Sequence, residues 1–256
     1  MSDFIRDQKL KQWLSTQDVG AEMKVARSLI SSGFEVIKSS FYEDPENTGA
    51  SREIDMTGRL SNNIDFLQVF SVIEFQKVPN PWIVLTSEFN SYNRLGAFAI
   101  MSRRANQSVS DNLLHMLEME WFVKNGRLGY GITEAYNKKE DYIFSALLNT
   151  TRASIAIIKQ ETRSYKSEYL SFVFPTIVLD GSLFESYLGP NDQVQIVETS
   201  SSLVFFPINV GGYTCAGIRV VTLSAFDRYC ADLKALYQSL NKIFLADVKR
   251  GVNVIR

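Results

Sequence analysis

Histidine and cysteine are nearly missing from this chain: one His and two Cys in 256 residues. A lone His115 cannot build a His-rich metal centre, and a Ser-His-Asp triad is not expected around it. Cys215 and Cys230 are too few for a disulfide scaffold or a four-ligand zinc site. Any metal must therefore be held mainly by oxygen. Glycine (14) and proline (6) are scarce, which excludes collagen-like repeats, and 27 Lys+Arg against 28 Asp+Glu leave no one-sided charge to keep the chain disordered. No run of eighteen apolar residues exists to span a membrane. The opening MSDFIRDQKLKQWLS lacks the apolar core of a secretory signal. The expectation is a cytoplasmic protein in a reducing compartment, with both Cys as small buried hydrophobes. A net charge of −1 neither favours nor excludes a nucleic-acid partner, which needs only a local basic surface.

What is present is ordinary globular material, 45% hydrophobic and 21% charged, with enough chain for one large domain or two small ones. Periodicity alternates between helix and strand without repeats. Residues 3–15 read as an amphipathic helix with Phe4, Ile5, Leu10, Trp13 and Leu14 as its apolar positions. Asp18 suits the N-cap of a second helix to Ser32, and Gly33 suits its C′ position. Strands are expected at 34–39, 52–60, 66–75 and 82–86, with a loop at 42–51, a turn at 61–63, and Pro79 and Pro81 stopping the third. Helices are expected at 107–124 and 139–162. Strands at 172–179, 194–198, 203–206 and 216–222 lead to a last helix over 224–246. Asp180-Gly181 signals a hairpin or tight turn. The division is an N-terminal helix (1–17), a core (18–180), and a strand-rich C-terminal extension of the same domain (181–256).

The informative segments are SREID at 51–55 and VIEFQK at 72–77. Alternate residues of a strand share a face, so Glu74 and Gln76 point the same way, and Asp55 on the neighbouring strand can meet Glu74. Two converging carboxylates repel unless a cation neutralises them. Mg²⁺ suits such a place, because it takes oxygen ligands and keeps several waters; the Phe75 carbonyl offers a third oxygen. In the 18–32 helix, Val19, Met23, Ala26, Leu29 and Ile30 form the expected apolar stripe, and Glu22 falls inside it. An acid there calls for a partner, and the same metal site is within reach if the helix packs over the sheet end.

This order of elements resembles the PD-(D/E)xK, or restriction-endonuclease-like, nuclease superfamily over residues 18–86. The resemblance rests on Glu22, Gly33-Phe34, Arg52-Glu53-Ile54-Asp55, Ile73-Glu74-Phe75-Gln76 and Pro81-Trp82. It implies an α/β fold with a mixed sheet flanked by helices and acids clustered at one end. It also implies that Asp55 and Glu74 ligate Mg²⁺ or Mn²⁺, that Glu22 is an auxiliary acid, and that the reaction is hydrolysis of DNA phosphodiester bonds, RNA not being excluded. The family Lys is replaced by Gln76, which can orient a water but brings no charge. Lys77 faces the opposite side of a regular strand. Two alternatives of another kind stand beside this: a catalytically inactive module that binds nucleic acid or a protein partner, and a structural subunit. Cutting both strands of a duplex calls for two sites, hence a homodimer or a partner protein.

Blander expectations cover the rest. Trp82 reads as a core anchor, His115 as a core histidine, and Arg52, Glu53 and Lys77 as surface residues. Gly129-x-Gly131 and Gly211-Gly212 lack the strand–loop–helix setting of a phosphate loop and read as turns.

Overall fold

The computed structural model describes residues 3–16, 19–47, 49–61, 66–87, 98–119, 121, 127–136, 141–163 and 169–244. Eleven strands form one mixed sheet. They are β1 Glu35–Glu43, β2 Ser51–Ser61, β3 Leu67–Lys77, β4 Trp82–Ser87, β5 Ile100–Met101, β6 Leu128–Glu134, β7 Leu170–Asp180, β8 Leu183–Leu188, β9 Val194–Thr199, β10 Ser201–Val210 and β11 Tyr213–Thr222. The helices are α1 Asp3–Thr16, α2 Val19–Ser31, α3 Arg103–Asp111, α4 Leu113–Leu117, α5 Asp141–Arg163 and α6 Phe226–Ile243. The fold is therefore α/β, with a large mixed sheet flanked by helices. No described helix is long and apolar enough to cross a membrane.

Along the sheet the order is β1-β2-β3-β7-β11-β10-β6-β4-β8-β9, with β5 on β7. β1, β2 and β3 are antiparallel neighbours, whereas β3, β7 and β11 run parallel. The stretch after residue 180 is not peripheral, since β11 lies beside β7 in mid-sheet. Two residues (181–182) join β7 to β8, although four strands lie between them on the path. Three steps of chain reach roughly 10 Å, while five strand spacings on a flat sheet would need about 24 Å. The sheet therefore curls back on itself. β3 turns the same corner into β4 through 78–81, and the turn is stitched by Val78 N–H to Asp180 O (3.3 Å) and Trp82 N–H to Ser182 O (2.9 Å). Asp180-Gly181 is thus a corner and not a hairpin, because β8 pairs with β4.

Two apolar layers cover the sheet. The first packs α2 and α6 against Met56, Val69, Ile73, Phe75, Phe174 and Val178. The second packs α5 against Ile54, Phe70, Val72, Ile177, Ile218 and Val220. Burying these side chains supplies the main driving force for the fold. Trp82 is fully buried, as its apolar body suggests, and its indole N–H donates to Tyr142 Oη at 3.1 Å.

Several expectations need correction. The α1 positions Leu10, Trp13 and Leu14 are exposed, because at 100° per residue its apolar side chains spread around the helix instead of forming a stripe. In α2 the buried residues are Val25, Ala26 and Leu29, while Val19, Met23 and Ile30 stand in solvent. The helix expected from 107 begins at Arg103, where the Ser102 hydroxyl accepts the Ala105 N–H (3.2 Å). His115 is exposed, not in the core. Gly129 and Gly131 lie within β6, not in a turn; a Cβ on Gly129 would run into Val84 Cγ1. Gly211-Gly212 does form the turn between β10 and β11, with φ of +59° and +90°. Cys230 is fully buried. Asp18, the turn at 62–63 and the Cys215 side chain lie outside the described residues.

Candidate active site

β2 and β3 carry the site because their ladder ends early. The last paired residues at that end are Met56 and Ile73, so Asp55 and Glu74 follow where the backbones are no longer bonded. Met56 lies in the first apolar layer and Ile54 in the second, although residues two apart on a regular strand share a face. The strand therefore changes phase at Asp55. Across from it, between the Lys38–Met56 and Ser40–Ile54 pairs, Ser39 adopts a left-handed φ of +47°. Such a conformation costs of order 1 kcal/mol in a non-glycine residue and marks a backbone held in place by its surroundings.

The Asp55 carboxylate reaches into the gap and accepts the Phe75 N–H at 2.7 Å. In a strand the N–H and C=O of one residue point the same way, so the Phe75 carbonyl also opens toward β2. Glu74 and Gln76 share a face, and the Gln76 amide donates a long 3.4 Å bond to Glu74 Oε1. β3 keeps unbroken register with β7 from Glu74–Ile177 through Lys77–Asp180. No bulge re-aims Lys77, which is exposed.

Electrostatics set this pair apart. Burial, then the Asp55 charge, push the Glu74 carboxyl up to about 8, against a small lowering from Gln76. Burial also raises Asp55, opposed by the Phe75 N–H and reinforced by Glu53. The Asp55 charge thus acts on Glu74, and the two carboxyls are coupled. Near neutral pH Glu74 thus keeps its proton.

A second set of polar side chains abuts the pair on the α5 side of the sheet. Tyr42 is buried and its hydroxyl donates to the Asn149 carbonyl at 3.4 Å. Burial pushes that phenol up to about 12, with smaller effects from Arg52, Asp44, Glu74 and Arg152. Asp44 bonds Arg52, accepts the Glu46 N–H at 2.9 Å, and lies 4.0 Å from Arg152, which also grips Glu46. Burial opposes the charge of Asp44, but these donors outweigh it and hold the carboxyl below its ordinary range. Arg52 is accordingly half of an ion pair and not a free surface cation. No local pattern signals this set: Asp44 sits in a loop-like run, YEDPENTG, and Arg152 arrives more than a hundred residues later.

Glu22 stands apart. It starts α2, whose buried residues belong to the layer shared with α6. Among the described residues no group of three or more His, Cys, Asp or Glu side chains is placed to hold a metal, so Glu22 does not complete one with Asp55 and Glu74. The oxygen set is two carboxylates and the Phe75 carbonyl. No family model, curated protein or solved structure matches this chain.

Proposed function

We propose that this protein is a Mg²⁺- or Mn²⁺-dependent nuclease that hydrolyses DNA phosphodiester bonds, with a restriction-endonuclease-like core. The observation that carries the reading is the pair of carboxyls where the β2–β3 ladder ends, with Glu74 held protonated to about 8 beside Asp55. Among the described residues the pair has no cationic partner, and it suits a hard dication, which binds through one or two carboxylates and leaves other positions to water and phosphate. Asp55, Glu74 and the Phe75 carbonyl would hold the ion. When bound it supplies Lewis acidity, polarising the scissile phosphate and making hydroxide available at neutral pH. Gln76 orients the attacking water through its amide, and the P–O bond to the leaving 3′ oxygen breaks in line.

An open groove lies beside the carboxyl end of β7, in the layer of α2 and α6. Lys24, Arg27, Ser28 and Ser31 of α2 line it, together with Leu179 and Asp180. The last two pair in register with Gln76 and Lys77, so the groove begins one strand from the acids. Its two cations are matched by Asp180 and Asp227, while its serine hydroxyls can donate to a nucleic-acid backbone passing the strand ends.

The test is cleavage of supercoiled plasmid and labelled oligonucleotides with Mg²⁺, Mn²⁺ or EDTA. Asp55→Ala and Glu74→Ala should each reduce cutting by at least about a thousandfold, the scale expected for losing a metal ligand. Cutting that survives in both variants would overturn the assignment. The exposed Lys77 and uncharged Gln76 favour a second reading, a module that binds DNA without cutting it; binding undiminished in EDTA, with no cleavage in any metal, is its signature.

A further inference from the structure

The sheet's other buried charge cluster is basic and lies on the α6 side. A cavity of about 420 Å³ opens there between β8, the β9–β10 turn, β11 and α6. Its floor is Arg219, 8% exposed, with the guanidinium 5.4 Å from the Trp121 ring centroid. Glu185 and Asp232 supply the compensating charge. Two further arginines line the same cavity. Arg127 lies over the Tyr187 ring, 3.2 Å from its centroid, and Arg228 sits in the first turn of α6. Neither has a carboxylate partner among the described residues. Three Arg against Glu185 and Asp232 leave the lining one charge positive.

The hydroxyls add to this. Glu185 is engaged by Ser202, which donates at 2.7 Å, and Thr199 folds onto the Ser201 backbone at 3.0 Å. The Ser200 and Ser201 hydroxyls remain directed to no described partner. Two guanidinium forks and two hydroxyls exceed what the two oxygens of a carboxylate can accept, and they suit the three terminal oxygens of a phosphate. The volume exceeds that of a bare phosphate, and Met119, Val221 and Leu236 give it an apolar wall.

From this arrangement we infer that the cavity binds a phosphomonoester of about nucleotide size, its phosphate held by Arg127 and Arg228 at the Ser200–Ser201 turn. The inference does not depend on the nuclease reading, because the cavity and the acid pair occupy different layers of the sheet.

The test is thermal unfolding and titration calorimetry of the full chain in EDTA, which keeps phosphate from reaching the acid pair through a metal. Probes are orthophosphate, pyrophosphate, the four nucleoside 5′-monophosphates and adenosine, with NaCl matched for ionic strength. At least one monophosphate should raise Tm beyond the NaCl control, with orthophosphate weaker and adenosine inert. Arg127→Ala/Arg228→Ala should weaken that binding at least tenfold while leaving the ligand-free Tm near wild type, since both side chains sit on the rim. Arg228→Lys should fall between. The inference is overturned if no monophosphate binds, if adenosine binds as well as its phosphate, or if binding persists in the double variant. Should the double variant fail to fold, Arg228→Lys alone decides: unchanged affinity would sink the inference.

Discussion

The two faces of one sheet treat buried charge in opposite ways. Beside α6, Arg219 is enclosed but compensated by Glu185 and Asp232 and laid against Trp121. Beside α5, Asp55 and Glu74 are brought together with no cation of their own, and the chain's answer is to keep a proton on Glu74. Arg52 and Arg152 are near enough to act on Tyr42, yet Asp44 and Glu46 engage them. A compensated charge is part of the framework, whereas an uncompensated pair is an unfilled place. That contrast distinguishes a structural ion cluster from a candidate site on physical grounds alone.

Four substitutions break or sharpen the contrast. Arg219→Met should act as damage to the framework, costing about 2 kcal/mol in urea unfolding because the half-buried Glu185 loses its cation and Trp121 the guanidinium laid against it. A loss under about 1 kcal/mol would mean the cluster is not compensated as described. Gln76→Lys should make the acid pair resemble the arginine cluster, lowering the Glu74 pKa by about 1–2 units, read from side-chain carboxyl NMR titration. An unmoved titration would mean that residue 76 does not face the pair.

Glu74→Gln should stabilise the metal-free protein by roughly 1 kcal/mol at pH 8. The sign follows from linkage. Folded Glu74 keeps its proton to about 8, whereas the unfolded residue loses it near 4.5. The unfolded state therefore binds fewer protons between these values, so wild-type stability falls as pH rises through that window. Denaturant midpoints from pH 4.5 to 8 should decline for wild type and run flatter for the variant. Parallel curves would rule out the raised Glu74 pKa. The smallest effect belongs to Tyr42→Phe, about 0.5–1 kcal/mol for one hydrogen bond to the Asn149 carbonyl, measured by the same unfolding assay.

Local chemistry made the first half of the sheet readable. β3 is dense in Val, Ile and Phe, Pro79 and Pro81 part it from β4, and its alternation put Glu74 and Gln76 on one face. β6 was hidden because Gly129 and Gly131 resemble turn residues, whereas the first of them is a close-approach glycine. β8 was hidden because Asp180-Gly181 imitates a hairpin. Its partner is β4, a pairing across about a hundred residues that no local pattern encodes. The stripe assigned to α2 failed for a related reason: Met23 and Ile30 are as apolar as Leu29, and only tertiary packing decides which of them the sheet covers. The Tyr42–Asp44–Arg152 cluster likewise exists only once α5 has been laid over β1.

The pairing of β3 with β7 also bears on how the molecule is made. Phe75 presents its backbone to Asp55 from a strand whose other edge is bonded to Val178. Until the ribosome has released residues 170–180, β3 has no partner on that side, and its Val/Ile/Phe edge is open to wrong pairing. Contacts so distant in sequence form slowly, because a long loop must close before they contribute. The acid pair is thus a late product of synthesis: its residues leave the tunnel early, but the strand that braces them arrives about a hundred residues afterwards.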